Sequence, residues 1–409
     1  MRTLRILAIA LVAAGGSFAS RAEAQVVARA AVTGQAAQTL QLERAWMTQA
    51  AVDPTRGVLA GLSLHKGILF VSTQQGLVQA IDAETGVIYW TTQVGNSRSI
   101  TLAPGANDNY CVLTNGTHLF ALERRTGRLA FERRTKNGAS AGPALSDKLA
   151  YVPMYNGSIE VYHLRDTNEL DKEPSVFFAA GASLAPPIIK GERLYWTTKG
   201  GFLYGDDDTS SDTRFRYQTG GLVLGGAAVF KPVKGVTVAL AGSLDGSVYA
   251  VTDPDGILLW RYQAGAGVAH APVVVSDAVY VVNDAGVLSR VDVQTGVARW
   301  QAQGVKRFLS ASPTRVYTID ALGQVLVFDA LHGGLIGSMF AGAVSVPFIN
   351  DQTDRAYLVS TNGLIQCLHE RALVKPHVHM PPAPPVTAPP MTTPPADGTA
   401  PSETPASPF

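Results

Sequence analysis

Short, mainly apolar runs with a few polar residues recur along most of the chain, and turn-forming residues separate them. Two of these runs are Leu77-Val-Gln-Ala-Ile81 and Val287-Leu-Ser-Arg-Val291. Apolar runs of this length between turn residues are typical of buried strands. Proline residues such as Pro272 precede other runs, at a position where a strand needs no backbone donor. The pattern therefore predicts an all-β fold built from short strands.

One longer phrase recurs, and it contains a glycine, an apolar run, an aspartate, a Thr-Gly pair and a tryptophan. Its two complete copies comprise Gly76, Asp82, Thr85, Gly86 and Trp90, and Gly286, Asp292, Thr295, Gly296 and Trp300. Partial copies run from Gly246 through Gly256 to Trp260, and from Gly116 through Thr126 and Gly127 to Phe131. Weaker copies begin at Gly157, Gly201, Gly323 and Gly363. Eight repeats of about 40 residues predict an eight-bladed β-propeller of four-stranded antiparallel blades.

Two kinds of turn are predicted within each repeat. Pairs such as Asn115-Gly116 and Asp245-Gly246 lie between apolar runs, and they predict two-residue hairpins with positive φ at the central residues. In Asp-x-x-Thr-Gly, the carboxylate can accept bonds from the turn, and the glycine reverses the chain between the third and fourth strands. The recurrent tryptophan is predicted to fill the gap between blades, with its indole N–H bonded to a backbone acceptor.

The two ends of the repeat region complement one another. The unit that begins at Gly363 has no fourth strand before the chain becomes rich in proline, whereas residues 40–49, with Trp46, resemble a fourth strand that no other strands precede. A blade with open edges is not stable alone, so the ring must close. We therefore predict that the N-terminal strand completes the last blade. The alternative is a loose N-terminal segment beside a seven-bladed ring.

The termini differ in composition from the repeats. Residues 1–24 combine Arg2 and Arg5, a short apolar run and small residues ending in Ala24, which predicts a cleaved signal peptide. A membrane anchor is the alternative. We expect residues 25–39 to be a lead segment, 40–374 the propeller, and 375–409 a disordered proline-rich tail that is either solvated or reaches to a partner. No cysteine lies near the cleavage site, so we expect no lipid anchor, and no later apolar segment is long enough to span a membrane.

Charge and cysteine content narrow the function. The chain has 33 basic and 32 acidic residues, so we expect neither nucleic acid nor an anionic membrane as a partner. The two cysteines, Cys111 and Cys367, are predicted to lie in blades that are separated by another blade, which is too far for a disulfide. We expect both to be buried, free side chains, although the chain is predicted to be exported to the periplasm.

The repeats resemble those of the quinoprotein propellers, the family named for pyrroloquinoline quinone (PQQ), over residues 40–374. The resemblance is most specific where Asp-x-x-Thr-Gly-x-x-x-Trp is intact, between Asp82 and Trp90 and between Asp292 and Trp300. One branch of this family comprises dehydrogenases that hold the quinone and Ca²⁺ in the central channel. The other branch is non-catalytic and includes the BamB-type factors of outer-membrane assembly, whose rim loops dock proteins.

The channel residues favour the non-catalytic branch. Five segments are expected to introduce innermost strands around the axis, and they are residues 140–143, 183–186, 269–272, 310–313 and 344–347. They carry no carboxylate that could hold a cation, and the chain lacks the adjacent cysteines that the resemblance implies for many quinone-binding members. Their one titratable group is His270, which we interpret as a hydrogen-bonded residue of the channel rim. We therefore expect no cofactor.

These observations favour an exported scaffold for envelope or outer-membrane proteins, located in the periplasm. The resemblance implies this role for the BamB-type branch. Two alternatives stay open. One is a PQQ-dependent dehydrogenase, which rests on the kinship of the repeats alone. The other is a sensor that binds a small ligand or a glycan at the rim of the channel.

Three further clusters suggest binding sites but also have simpler structural interpretations. Asp206-Asp207-Asp208 with Asp212 could bind Ca²⁺, but the spacing matches no calcium loop, so we expect a solvated hairpin. His377 and His379 could chelate Zn²⁺ or Cu²⁺, although two histidines in a disordered tail bind weakly. The arginine pairs at 124–125 and 133–134 could bind an anion or protect a blade edge from pairing, and we favour the second interpretation.

Overall fold

A computed structural model of the protein describes residues 32–53, 58–164, 173–207, 215–233, 236–342, 344, 346 and 348–379. This part of the chain forms 31 strands and one short helix, and the strands assemble into eight antiparallel sheets. The predicted signal peptide, Asp208, Asp212 and residues 380–409 lie outside the described residues.

Seven sheets each consist of four strands that are consecutive in the chain. Blade 1 comprises β2 (Leu59–His65), β3 (Ile68–Thr73), β4 (Leu77–Asp82) and β5 (Ile88–Gln93). Blade 2 comprises β6 (Gly105–Ala106), β7 (Tyr110–Asn115), β8 (His118–Glu123) and β9 (Leu129–Arg134). Blade 3 comprises β10 (Ala144–Leu145), β11 (Leu149–Pro153), β12 (Ser158–His163) and β13 (Ser175–Phe178). Blades 4 and 5 comprise β14 (Ile188–Lys190), β15 (Arg193–Thr198), β16 (Phe202–Asp207) and β17 (Phe215–Gln218); β18 (Ala228–Val233), β19 (Val236–Gly242), β20 (Ser247–Asp253) and β21 (Leu258–Gln263). Blades 6 and 7 comprise β22 (Val273–Val275), β23 (Ala278–Val282), β24 (Val287–Asp292) and β25 (Ala298–Gln303); β26 (Arg307–Ala311), β27 (Arg315–Ile319), β28 (Gln324–Asp329) and β29 (Leu335–Phe340).

The eighth blade joins the two ends of the chain. Strand β1 (Leu42–Gln49) pairs with β31 (Leu364–Glu370), which pairs in turn with β30 (Ala356–Val359). Trp46 lies opposite Cys367 in this pairing. In the place of an innermost strand, the described residues form only a bridge between Val344 and Ser360 and one bond from Val346 N. The predicted eight-bladed ring, closed by the N-terminal strand, is confirmed, and the seven-bladed alternative was wrong.

The core lies between the blades. The buried apolar side chains of the described residues form eight clusters, and each cluster joins two neighbouring blades around the ring. Side chains that are adjacent along a strand belong to different clusters. Cys111 packs between blades 1 and 2, for example, whereas Val112 packs between blades 2 and 3. This division follows from the alternation of side chains across a sheet, and it leaves every blade dependent on both neighbours.

The loops fall on two faces, because successive strands of a blade run in opposite directions. We call one face the upper face; it carries the turns between first and second strands and between third and fourth strands. The lower face carries the turns between second and third strands and the connections from one blade to the next.

The turns on the lower face differ from the prediction in one respect. The leading glycine of each repeat has a positive φ, between 60° and 89°. In blade 1, Gly76 N donates to Thr73 O at 3.0 Å, and the same bond recurs in every blade but the second. In these seven blades the glycine is therefore the last residue of a three-residue loop. In blade 2 the loop has two residues, but only Gly116 has a positive φ, so the expectation of two central residues with positive φ was wrong. A single left-handed residue after a type I turn is enough to connect the strands.

The lead segment contains a helix that the sequence pattern did not predict. Helix α1 (Gly34–Thr39) begins after Thr33, whose hydroxyl oxygen accepts a bond from Ala36 N at 3.2 Å. Ala37 and the preceding Val32 are buried in the cluster between blades 7 and 8. A helix of six residues is not stable in isolation, so this packing stabilises it.

The chain follows blade 8 beyond Val374, where the sequence analysis placed the end of the propeller. The Arg355 guanidinium donates to the carbonyl oxygens of Leu373 and Val374 at 2.9 and 2.8 Å. Farther on, Val378 forms a bridge with Thr353. We call residues 373–379 the C-terminal strap. The strap holds His377 and His379, which were assigned to a disordered tail, against the upper face.

Candidate functional site

The tryptophans of the repeat lie at the junctions between blades. Each indole N–H donates to a carbonyl oxygen of the next blade; the pairs are Trp46 with Ala83 at 3.0 Å, Trp90 with Arg124 at 2.9 Å, Trp260 with Val293 at 3.0 Å and Trp300 with Ala330 at 3.0 Å. Each ring also covers a turn glycine of that blade. A methyl group added at Gly86, Gly127 or Gly296 would lie within 2.7 Å of the indole. These residues therefore fasten neighbouring blades to one another.

The aspartates of the repeat bond within their own turns. The Oδ1 atom of Asp82 accepts bonds from the backbone N–H groups of residues 84 and 85 at 2.9 and 2.7 Å. Asp292 accepts bonds from Thr295 N and Oγ1, both at 2.9 Å. In blade 2, Glu123 stands in for the aspartate and accepts a bond from Thr126 Oγ1 at 2.7 Å. Burial acts to raise the pKa of Asp82 and Asp292, but hydrogen bonds outweigh burial and hold both pKa values below the usual range.

A concavity lined by several blades lies along the central channel. It has a volume of about 690 Å³, and residues from blades 1, 4, 5, 6 and 8 line it. The innermost strands β14, β18 and β22 supply three of its walls, and residues 348–352 supply a fourth. Blade 8 has only the short bridge at Val344 in place of an innermost strand, and the last residue of the C-terminal strap, His379, also lines the space. We call this space the channel cavity.

The charged groups of the channel cavity lie near its upper end. Lys190 ends β14, Lys231 lies in the upper half of β18, and Asp351 faces them from blade 8. Asp351 is exposed to the channel, but the surrounding strands remove part of its hydration and raise its pKa, while Lys190 and His379 act against that rise. The sequence did not indicate these residues, because the charges follow the segments that precede the innermost strands. The signal was the lysine that directly follows the apolar pair Ile188-Ile189.

The predicted rim segments do not all precede an innermost strand. Residues 140–143, 183–186 and 269–272 do precede innermost strands. Residues 310–313 do not, because Ser310 belongs to β26 and Pro313 lies in the turn that follows it. His270 lies half-buried on the lower side, beside Arg307 and Tyr280. Burial and the charge of Arg307 lower the pKa of His270, so its neutral form is favoured.

The other clusters form contacts within the fold. Asp207 pairs with the Arg193 guanidinium, which also donates from Nε to Asp253 Oδ2 at 2.8 Å, so Asp207 has no free role in a calcium loop. The two ring nitrogens of His379 lie 2.9 and 2.8 Å from backbone carbonyl oxygens, and the ring does not face a shared metal position with His377. Arg124 donates from Nη2 to two carbonyl oxygens of blade 1 at 3.3 Å.

Cys111 and Cys367 are free and fully buried, as predicted, and burial raises the pKa of both thiols. Within the described ranges, no three His, Cys, Asp or Glu side chains converge in a way that could hold a metal ion. The same residues include no helix that is long and apolar enough to cross a membrane.

The closed ring of eight blades, with a tryptophan docked at half of its junctions, defines a β-propeller built from PQQ-like repeats. A family model described as "Outer membrane protein assembly factor BamB" matches residues 22–172 and 210–341. These segments cover well over half of the chain, and the chain belongs to this family, as the repeats predicted.

The chain is similar to known proteins of two kinds, BamB proteins and quinohemoprotein alcohol dehydrogenases. A curated "Outer membrane protein assembly factor BamB" from Moranella endobia (strain PCIT) is 21% identical over 287 residues, which are 65% of this chain and 63% of the relative. The match thus spans less than two thirds of that relative. The crystal structure of BamB from Moraxella catarrhalis has a TM-score of 0.64 at 16% identity and covers 80% of this chain and 97% of its own. The crystal structure of the quinohemoprotein alcohol dehydrogenase from Comamonas testosteroni has a TM-score of 0.62 at 13% identity, and the match covers 84% of this chain and 79% of that chain. At these identities the structural likeness shows the fold alone.

Proposed function

We propose that this protein is an exported, periplasmic scaffold that binds other envelope proteins, and that it takes part in the assembly of outer-membrane proteins. Its family and the name of its curated relative support this role. The proposal includes no catalytic activity. The residues of the repeat that resemble a functional motif form the turns and junctions of the fold, so the variable loops are the places left for recognition.

The observation that carries the proposal is a group of exposed apolar side chains on the lower face. Tyr155 lies in a turn of blade 3, and Ile100, Leu184 and Leu222 lie in connections between blades. Their exposed fractions are 67%, 73%, 42% and 45%. The four side chains come from lower-face loops of blades 1 to 5, and grouped apolar side chains of this size are typical of a surface that docks another protein. We call these four residues the lower-face set.

Site-specific photocrosslinking in living cells tests the proposal. A photoreactive residue is placed in turn at Tyr155, Leu184 and Leu222, and also at Leu331 as a control. Leu331 is 66% exposed but lies in a turn on the upper face. We expect a crosslink to a discrete envelope protein from the first three positions and none from Leu331. The absence of reproducible adducts at all three positions would contradict the proposal.

A functional test uses the same surface. Leu184→Asp and Leu222→Asp together place two charges on the lower face without touching a junction between blades. We expect normal amounts of folded protein but lower levels of assembled outer-membrane proteins than in cells that carry Leu331→Asp. Equal levels in the two strains would remove the support for a role in assembly.

The proposal also includes no quinone cofactor. The donor set of the channel cavity supports this part, because its lining contains one carboxylate, Asp351, whereas Ca²⁺ takes six to eight oxygen ligands in proteins. The residues therefore do not fit a quinone and Ca²⁺ together. Dialysis of the purified protein against PQQ and Ca²⁺, followed by absorbance spectroscopy and a dye-reduction assay with alcohols and sugars, should give neither bound quinone nor activity. Either signal would overturn this part of the proposal.

A further inference from the structure

We propose that the channel cavity is a binding site for a small amphiphilic anion, a ligand with one carboxylate, sulfonate or phosphate group joined to an apolar body. The inference goes beyond the scaffold role, because the lower-face set forms no part of this cavity. A partner on the lower face and a ligand in the channel would bind independently.

The walls of the channel cavity suit the apolar body of such a ligand. Half-buried aliphatic and aromatic side chains from four blades converge on the space, and they are Ile188, Ile189, Val229, Val274, Phe348 and Ile349. Each keeps part of its surface in contact with water, although the opposite side packs against the blades. A ligand that covers these surfaces removes apolar area from water. A volume of about 690 Å³ is also within the range of pockets that hold small organic ligands.

The charges at the upper end of the cavity suit one anionic group. Lys190 and Lys231 lie on the innermost strands of two adjacent blades, and both side chains are exposed. Neither forms an ion pair or hydrogen bond with another of the described residues. Asp351 is the one carboxylate in the lining, so the two ammonium groups leave one positive charge without a counterion in the cavity.

The remaining polar groups do not cancel this charge. The two ring nitrogens of His379 lie 2.9 and 2.8 Å from the carbonyl oxygens of Asp351 and Ala311, so the ring makes its contacts within the fold. Ser63, Ser276, Asn350 and Gln352 complete the polar lining and are neutral. Lys190, Lys231 and Asp351 together leave one net positive charge, which matches a monoanion. A ligand with three carboxylates, such as PQQ, would leave an excess of negative charge against the apolar walls.

Fluorescence titration with two probes tests the inference on the full-length protein. The anionic probe 1-anilinonaphthalene-8-sulfonate carries the sulfonate on an apolar body, and N-phenyl-1-naphthylamine is the same body without the charge. We expect the sulfonate to bind more tightly than the neutral probe. Lys190→Gln and Lys231→Gln should each weaken sulfonate binding by about five-fold, as for the loss of a partly solvated charge pair, and leave the neutral probe unaffected.

Two further variants test the sign of the charge effect on sulfonate binding and the location of the site. Asp351→Asn removes the opposing carboxylate, so it should strengthen sulfonate binding by about the same factor. Lys199→Gln is the matched control, since Lys199 is an exposed lysine at the lower end of blade 4. Thermal unfolding of every variant is measured in parallel, because both probes also bind partly unfolded chains.

The outcomes separate clearly. Opposite shifts for Lys190→Gln and Asp351→Asn, with Lys199→Gln unchanged, support the site. Equal binding of both probes, or equal effects of Lys190→Gln and Lys199→Gln in variants that unfold at the same temperature, would overturn it. The photocrosslinking result from the lower face has no bearing on this test, so failure of the scaffold role would be seen separately.

Discussion

A methyl group at Cα of Gly337 would lie 2.6 Å from Cδ2 of Leu40. Gly337 follows Gly333 by four residues, as Trp300 follows Gly296, so it stands where the repeat has its tryptophan. The next blade has no continuous turn for a tryptophan to cover, because the N-terminal strand supplies the fourth strand there. Leu40 fills the place instead, at the junction at which the ring closes.

Gly337→Ala should therefore destabilise the protein. The added methyl group must displace the end of the half-buried Leu40 side chain at the closing junction, so the cost should be about 1 kcal/mol, the lower end of what overpacking causes. Gly334→Ala is the control, because nothing lies within 4 Å of a methyl group at Gly334. Calorimetry should show a lower unfolding temperature for Gly337→Ala alone. A similar decrease in the control would mean that the loss of glycine, rather than contact with Leu40, is responsible.

Arg355 should be essential for holding the C-terminal strap. Its guanidinium is 1% exposed; Nε donates to Glu84 of blade 1 at 3.0 Å, and Nη1 lies 3.2 Å from the buried Asp354. Arg355→Met leaves the Asp354 carboxylate buried without its cation, which costs about 3 to 5 kcal/mol. Hydrogen exchange of residues 373–379 should become faster in the variant, since the bonds to Leu373 and Val374 are lost as well.

Arg128→Gln is the comparison for that experiment. Arg128 pairs with Glu123 at 2.6 Å, but 77% of its side chain is exposed. Exposed ion pairs contribute little to stability, so the unfolding temperature should hardly change. If the two variants lose the same stability, burial does not determine the role of Arg355.

The turn carboxylates should make stability depend on acid pH. Arg299 and the Thr295 turn overcome the effect of burial and hold the pKa of Asp292 below 3.8. A lowered pKa in the folded state adds stability above the pKa of the unfolded chain, and this stability is lost as the pH falls through the folded value. Asp292→Asn should thus reduce the urea midpoint at pH 7 and have a much smaller effect at pH 2.5. An equal effect at both pH values would show that ionisation does not matter.

Both cysteines should be unreactive in the native protein. Cys111 and Cys367 are buried, and burial raises the pKa of each thiol, so little thiolate is present or accessible at pH 8. Iodoacetamide should modify neither residue in buffer and both in 6 M guanidinium chloride, as measured by mass spectrometry of the intact chain. Rapid modification of Cys367 in buffer would indicate that blade 8 opens.

The repeat could be read from the sequence because it consists of local turns. The spacing between Asp82, Gly86 and Trp90 depends on residues within one hairpin, and these residues specify their own backbone geometry. The number of blades and the closing strand followed from counting units and from the unmatched segment around Trp46. The structure agrees with both.

The channel could not be read in the same way. Lys190, Lys231 and Asp351 come from three blades, and no local pattern marks them as neighbours. Helix α1 was missed because Val32 and Ala37 become buried only against blade 7, which lies far along the chain. Residues 310–313 were assigned to the wrong side of a strand, since Ser-Ala-Ser-Pro occurs both before strands and in turns.

The pairing of β1 with β31 also determines when the molecule can become complete. Val32 N donates to Gln366 Oε1, a residue 334 positions later, and seven complete blades are synthesised between β1 and β31. Until β31 emerges, β1 has an open edge and Trp46 lacks its partner strand. The growing chain therefore carries an unpaired strand while these seven blades are made, and this strand has to be kept from pairing with other chains until β31 arrives.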